Sequence, residues 1–216
     1  MSLSSNNIIT IYNSRKTILS QLEQQGYTTG DYDMFSINEI DAMYRTNQLD
    51  MLVTKKSDGK KAYVKYLIQI KQLRKDILDQ LVEDLYEVEQ VLEKKDTLIV
   101  IVNEEPNDTI VTKIKYLYDH SGIFIVMHNI KRLQFDVLQH ELVPYARIMT
   151  PEEVEELKLK YHIMSLSKLP EISRFDPQAL ALGLRPGEVI KIERKSNTAM
   201  NYKQHQLKLL NQPKTC

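Results

Sequence analysis

The chain has 216 residues, 42% hydrophobic and 27% charged, with only 6 Gly and 7 Pro; that excludes a disordered chain and leaves room for one large or two small cored domains. No stretch approaches the run of about 18 apolar residues that a membrane span needs; the opening MSLSSNNIITIYNSRK lacks the features of a secretory signal, and the single cysteine, Cys216, leaves no disulfide framework or cysteine metal site and fits a reducing compartment. Net charge is zero but uneven: residues 1–139 hold 17 Lys/Arg against 20 Asp/Glu, residues 140–216 hold 12 against 9, and from Arg185 onward there are 7 basic residues and 2 acidic ones.

The first element is a helix over residues 6–25, where Ile8, Ile11, Ile18, Leu19 and Leu22 recur at roughly helical spacing and Gly26 suits a stop. A second begins at Ser36, with Glu39 three residues on as a capping box, and runs to about Leu49. Two strand-like runs, from Met51 and from Lys61, flank Ser57-Asp58-Gly59-Lys60 and predict a hairpin. Ile77, Leu78, Leu81, Val82, Leu85, Val88 and Leu92 predict a helix over 76–93. Leu98–Val102 and Gly122–Met127 read as buried strands, with a helix from Asn107 to Tyr118 between them. This order predicts a sheet covered by helices.

The C-terminal third is different in character. Thr150-Pro151-Glu152-Glu153 is a helix start with a Thr cap and Pro at the first position. Leu169-Pro170 breaks the chain, Asp176-Pro177 opens a short helix ended by Gly183, Arg185-Pro186-Gly187 is a turn, and Glu188–Arg194 is a strand. The expected class is therefore α+β: a helix-flanked mixed sheet over residues 1–139 and a small α+β domain over 140–216.

Motifs for catalysis are scarce. Neither GxxxxGK[ST] nor GxGxxG occurs, so nucleotide binding of those kinds lacks support. The five histidines have no HExxH or His-x3–5-His spacing and read as surface or helix-end groups; the methionines read as core filler. No GxSxG elbow is present. A metal-dependent nuclease would need clustered carboxylates and a lysine. Asp50 and Lys65 lie on the hairpin strands, but the position two before Lys65 is Tyr63, which cannot supply the carboxylate. Glu193-Arg194-Lys195, with Asp176 upstream, has the spacing, but charge alternation on an exposed strand explains it more simply.

One ordered set of motifs spans about sixty residues: His140-Glu-Leu-Val-Pro144, Met149-Thr-x-Glu-Glu-Val154, Leu169-Pro170-x-Ile172, Asp176-Pro177, Gly183-Leu-Arg-Pro-Gly-Glu-Val-Ile-Lys-Ile-Glu-Arg194, Ser196-x-Thr198-Ala199 and Tyr202. It closely resembles the assembly domain of the fifth common subunit of eukaryotic nuclear RNA polymerases, a domain that archaeal polymerases carry as a small subunit of its own. The first domain is similar, more loosely, to the eukaryotic version. The resemblance implies a non-catalytic scaffold subunit without cofactor, metal, membrane or small-molecule substrate. Its second domain would dock on the largest polymerase subunit, among the other polymerase subunits. Its first would form part of the lower jaw near downstream DNA, with a nuclease-like topology that lacks nuclease chemistry. Docking would use His140, Glu141, Pro144, Arg185, Gly187, Lys191, Arg194, Ser196, Thr198 and Tyr202, with Val189–Arg194 offering a free strand edge to a partner's sheet. Gly183 and Pro186 serve equally well as fold-shaping residues.

There are departures from the family pattern. The DNA-proximal turn here reads Asn107-Asp108-Thr109, preceded by Glu104-Glu105, whose charge repels phosphate and weakens any DNA contact. Lys195 replaces a proline, His205-Gln206 replaces the closing Tyr-Arg, and the chain continues past the family's usual end, from Leu207 to Cys216. A viral version is compatible with this divergence, giving a nuclear location for a cellular protein and a virion or host-cytoplasm location for a viral one. The alternatives are a free-standing nucleic-acid-binding regulator that uses the basic end, and a metal-dependent nuclease.

Overall fold

The computed structural model describes residues 5–70, 72–194 and 202–209, with Ser5, Arg194 and 202–209 described as backbone. Two compact units divide between Asp136 and Val137. The class is α+β with a mixed sheet.

The first unit is built on a five-stranded sheet in sequential order: β1 (Tyr27–Thr28), β2 (Met51–Lys55), β3 (Lys61–Tyr66), β4 (Thr97–Val102) and β5 (Phe124–Asn129). The first three strands pair antiparallel and the last three parallel. Every residue of β4 and β5 is buried, as expected of β-branched runs without polar alternation. Side chains alternate across a strand, so Leu98, Val100, Val102, Ile125 and Met127 share one face. They pack with Leu78, Val82 and Leu85 from α3 (Lys75–Glu83) and the turn after it, and with Ile110 and Ile114 of α4 (Asp108–Tyr116). Both connecting helices lie on this face. On the other side Ile99, Ile101, Phe124 and Val126 are also buried, and α1 (Ser5–Gln24) buries Ile11, Ile18 and Leu22. Asp136 fastens α1 by accepting hydrogen bonds from Ser20, Gln21 and Gln24.

Helix ends differ from the sequence reading in ways that the backbone explains. α2 (Ile37–Arg45) has the full Ser36/Glu39 capping box but stops short of Leu49, because Asn47 turns left-handed at φ 56°. The predicted 76–93 helix relaxes into a π-helical turn at Asp84–Val88 and ends before Gln90, another left-handed residue at φ 51°. Leu92 is still buried, but from the loop. α4 also ends in a π turn, Leu117–Ser121, closed by Gly122 at φ 72°. Against expectation His128 is a fully enclosed β5 residue, while Met34 and Met164 stand in solvent. The β2 edge beyond short β1 is sealed by Tyr32, whose hydroxyl accepts from the Leu52 N–H and donates to the Leu52 carbonyl, both at 3.2 Å.

The second unit has a four-stranded sheet ordered β6-β8-β9-β7, comprising β6 (Tyr145–Ile148), β7 (Glu171–Ile172), β8 (Val189–Arg194) and β9 (Tyr202–Leu209). Ala146, Ile190 and Ile192 pack with Ala179 of α6 (Pro177–Ala181) and Leu184. Met149, Val189 and Leu169 enclose Leu157 of α5 (Pro151–Tyr161). Thr150 and Glu153 form the reciprocal capping box, and Asp176 caps α6 through the N–H groups of Gln178 and Ala179. The expectation of a free edge at Val189–Arg194 is overturned. β8 is hydrogen-bonded to β6 on one side and β9 on the other, so its backbone groups are already used.

Candidate functional site

The His140–Pro144 segment is a compact turn leading into β6. The Val143 N–H donates to the His140 carbonyl at 2.9 Å, and the Leu142 N–H donates to His140 Nδ1 at 3.2 Å, which orients the imidazole. Gln178 Nε2 of α6 donates to the Pro144 carbonyl at 2.8 Å, anchoring the end of the turn. What the turn presents is apolar: Leu142 is 86% exposed and Tyr145, just after it, 65%. Glu141 is exposed as well.

Strand alternation then builds a polar face opposite the core. Tyr145 pairs across to Glu193 and Arg147 to Lys191. Lys191 Nζ lies 3.3 Å from Glu193, and Arg147 makes a two-pronged pair with Glu153 of the α5 cap. The Arg147 guanidinium, seconded by the Thr150 N–H, brings the Glu153 carboxyl down to about 2. Three members of this face, Tyr145, Arg147 and Glu193, were not among the docking residues expected from sequence. The alternation in Tyr145-Ala-Arg-Ile148 was the signal that could have shown them.

Arg185–Gly187 sits at the other end of the β6–β8 ladder from Pro144, since Tyr145 faces Glu193 and Ile148 faces Ile190. The turn is closed by Glu188, whose N–H donates to the Arg185 carbonyl while its carboxylate accepts from the Arg185 N–H at 2.8 Å. Gly187 has φ 91° with nothing within 4 Å of a built Cβ, so the turn conformation and not a close approach calls for glycine. The expected docking residues thus fall into two groups at opposite ends of one ladder, with Lys191 between them. Arg194 and Tyr202 are paired through their backbones in β8 and β9, and Ser196 and Thr198 lie outside the described residues.

In the first unit, Asn107 caps α4 by accepting from the Ile110 N–H at 2.9 Å, with Asp108 and Thr109 in the first turn. Glu105 accepts from Asn129 Nδ2 and Arg132 Nε at 3.2 and 2.9 Å, so this acidic group braces the loop after β5. The helix start is already capped, and its surroundings are acidic.

Asp50 is the carboxylate that a nuclease would use, and its oxygens are engaged. Lys65 Nζ lies 2.5 Å from it, the Tyr63 hydroxyl donates at 3.2 Å, and the Tyr66 N–H donates at 3.2 Å. Burial first, then the Asp50 charge, pushes the Tyr63 phenol up, so Tyr63 remains a neutral donor. Glu193 and Asp176 do not form a second centre, because Asp176 is spent on α6 and Glu193 on Lys191. Among the described residues no group of three or more His, Cys, Asp or Glu is placed to hold a metal ion.

Comparison with known proteins falls on the second unit. The family described as RNA polymerase Rpb5, C-terminal domain, matches residues 135–207. DNA-directed RNA polymerase subunit Rpo5 of Thermococcus onnurineus is 50% identical over 74 residues, 34% of this chain and 89% of that protein. The Pyrococcus abyssi protein of the same name is 45% identical over 69 residues, 32% of this chain and 83% of its own length. DNA-directed RNA polymerases I, II, and III subunit RPABC1 of Caenorhabditis elegans is 46% identical over 70 residues, covering 32% of this chain and 33% of that protein. With half the residues shared across nearly the full length of an archaeal relative, the chain belongs to the Rpb5 family of RNA polymerase subunits.

Proposed function

We propose that this protein is a non-catalytic structural subunit of a DNA-directed RNA polymerase. The observation that carries this is the 50% identity to an archaeal polymerase subunit across 89% of that subunit's length. The matched region, residues 135–207, coincides closely with a compact unit beginning at Val137. That unit is the assembly domain, and it docks on the largest polymerase subunit. The expected contributors are His140, Glu141, Pro144, Arg185, Gly187, Lys191, Arg194, Ser196, Thr198 and Tyr202. Because β8 is paired on both sides, docking uses side chains and the exposed Leu142 and Tyr145 in place of strand addition at Val189–Arg194.

The first unit serves as the jaw. A nuclease-like origin is supported by the placement of Asp50, just before β2, beside Lys65 of the adjacent β3, and inactivity by the saturation of Asp50. Contact with downstream DNA through Asn107–Thr109 is weak, since the capped helix start and its acidic neighbours offer phosphate no cation. Affinity purification from the cells or particles that make the protein, followed by mass spectrometry, tests the reading. Stoichiometric recovery of the largest polymerase subunit is expected; a stable monomer that binds DNA alone would favour the free-standing regulator.

A further inference from the structure

We infer that the groove between α3, with its π turn, and the π turn after α4 receives a basic amphipathic helix of a partner protein. The groove has a volume of about 960 Å³ and lies within the first unit. One wall is a helical stripe in which Asp79, Glu83, Glu87 and Gln90 recur every three or four residues, with Tyr86 beside them. The facing wall is the turn after α4, with His120 and Ser121. The floor is apolar, because Val82, Leu92, Leu117 and Ile123 are the outer margin of the buried core cluster. From Asp79 to Gln90 the wall runs roughly 15 Å, about three helical turns. An amphipathic helix of that length laid in the groove puts its apolar anchors on the floor and its charged side chains at the rim.

The charge of the rim selects a cationic partner. Residues 76–93 hold seven acidic residues and no basic one. Glu83 and Glu87 are exposed, and no ion pair involves either among the described residues. They are like charges four residues apart, which repel on a helix, and a bound cation relieves that repulsion. The nearby bases are mostly spent. Lys113 pairs with Asp79 at 2.7 Å and Lys95 with Glu93 at 3.0 Å, which leaves Lys94 as the lining base outside any ion pair among the described residues. Four carboxylates therefore line the groove against two ammonium groups, and the two unpaired carboxylates repel an anionic occupant.

Aromatic groups on both walls make arginine the best-suited cation. Tyr86 packs partly buried against the floor. On the facing wall His120 stacks against Tyr116, with centroids 4.2 Å apart, and Tyr116 is 53% exposed. A guanidinium can lie flat on such a ring while its N–H groups pair with a carboxylate, which a lysine ammonium cannot do as well. Both walls also contain π turns, Asp84–Val88 and Leu117–Ser121, a departure from α-helical geometry that is frequent at functional sites. The inference stands on the groove and does not rest on the polymerase-subunit reading.

The test is fluorescence anisotropy of the full-length protein with a labelled amphipathic helical peptide of about 15 residues, built from alanine, leucine and arginine. Companion peptides carry serine for each leucine or glutamate for each arginine, and both should bind at least about tenfold more weakly. Glu83→Gln combined with Glu87→Gln should weaken binding of the arginine peptide about fivefold to thirtyfold, as two exposed ion pairs would. The melting temperature should hold, since both side chains are in solvent. Glu23→Gln combined with Glu104→Gln, an equal change of charge at exposed sites outside the groove, should leave binding intact. Glu83→Lys combined with Glu87→Lys should shift the preference to the glutamate peptide. No binding by the native chain, equal binding of the serine peptide, equal loss in the two Gln variants, or no shift with the Lys variant would overturn the inference. Displacement of the peptide by duplex DNA, or self-association of the native chain abolished by the groove variant, would overturn it too by giving the groove another occupant.

Discussion

His128 provides a sharp physical test of the first unit. Its side chain is only 6% exposed within β5, and burial, with a smaller push from the Arg132 charge, lowers its pKa to about 4. In the unfolded chain the imidazole titrates near 6.5, so between these values the unfolded state binds the extra proton and the folded state does not. Stability from this residue is full above 6.5, falls as pH drops, and levels off below about 4; the total is about 3 kcal/mol. Replacing His128 with Leu keeps the site apolar and abolishes the linkage. Urea unfolding followed by far-ultraviolet circular dichroism, at intervals from pH 4 to 7, measures both proteins, and their difference cancels the carboxylates common to them. The native protein should lose about 3 kcal/mol more than His128→Leu over this range. Parallel pH dependences would refute the reasoning.

Other consequences can be checked the same way. Thr150→Ala removes the hydroxyl that accepts from the Glu153 N–H, leaving only the backbone half of the capping box, which should cost about 1 kcal/mol in the second unit by urea unfolding. Asp50→Ala leaves Lys65 and Tyr63 without their shared acceptor and should destabilise the first unit by about 1–3 kcal/mol. The native chain should show no magnesium-dependent cleavage of DNA in a gel assay; cleavage abolished by Glu193→Gln would revive the nuclease. Leu142→Ser combined with Tyr145→Ser should weaken recovery of the largest polymerase subunit while leaving the melting temperature almost unchanged, because both side chains are mostly in solvent.

Local signals in the sequence translated directly into structure. Ser36 with Glu39 and Thr150 with Glu153 gave true capping boxes, and the Asp58-Gly59 turn gave the hairpin, because each is decided within a few residues. The readings that failed depend on distant parts of the chain. Whether Val189–Arg194 is an edge or a centre depends on β6 and β9, and neither is visible from the strand itself. Leu92 continues the helical spacing of Leu78, Val82 and Leu85, yet it reaches the core after the chain has turned at Gln90. His128 reads as a surface group because it lies one residue past the apolar run Gly122–Met127, and only the ladder with β4 shows that the buried strand continues to Asn129. The Asp50–Lys65 pair was legible as a residue pattern; that Tyr63 and the Tyr66 N–H complete its hydrogen bonding required the folded register.

The central claim is membership in a polymerase, and affinity purification of the tagged chain from its natural source, with quantitative mass spectrometry, tests it most directly. The account predicts the largest polymerase subunit in equimolar amount, retained through salt washes and reduced with Leu142→Ser/Tyr145→Ser. Recovery of the chain alone, or with partners that include no polymerase subunit, would contradict it.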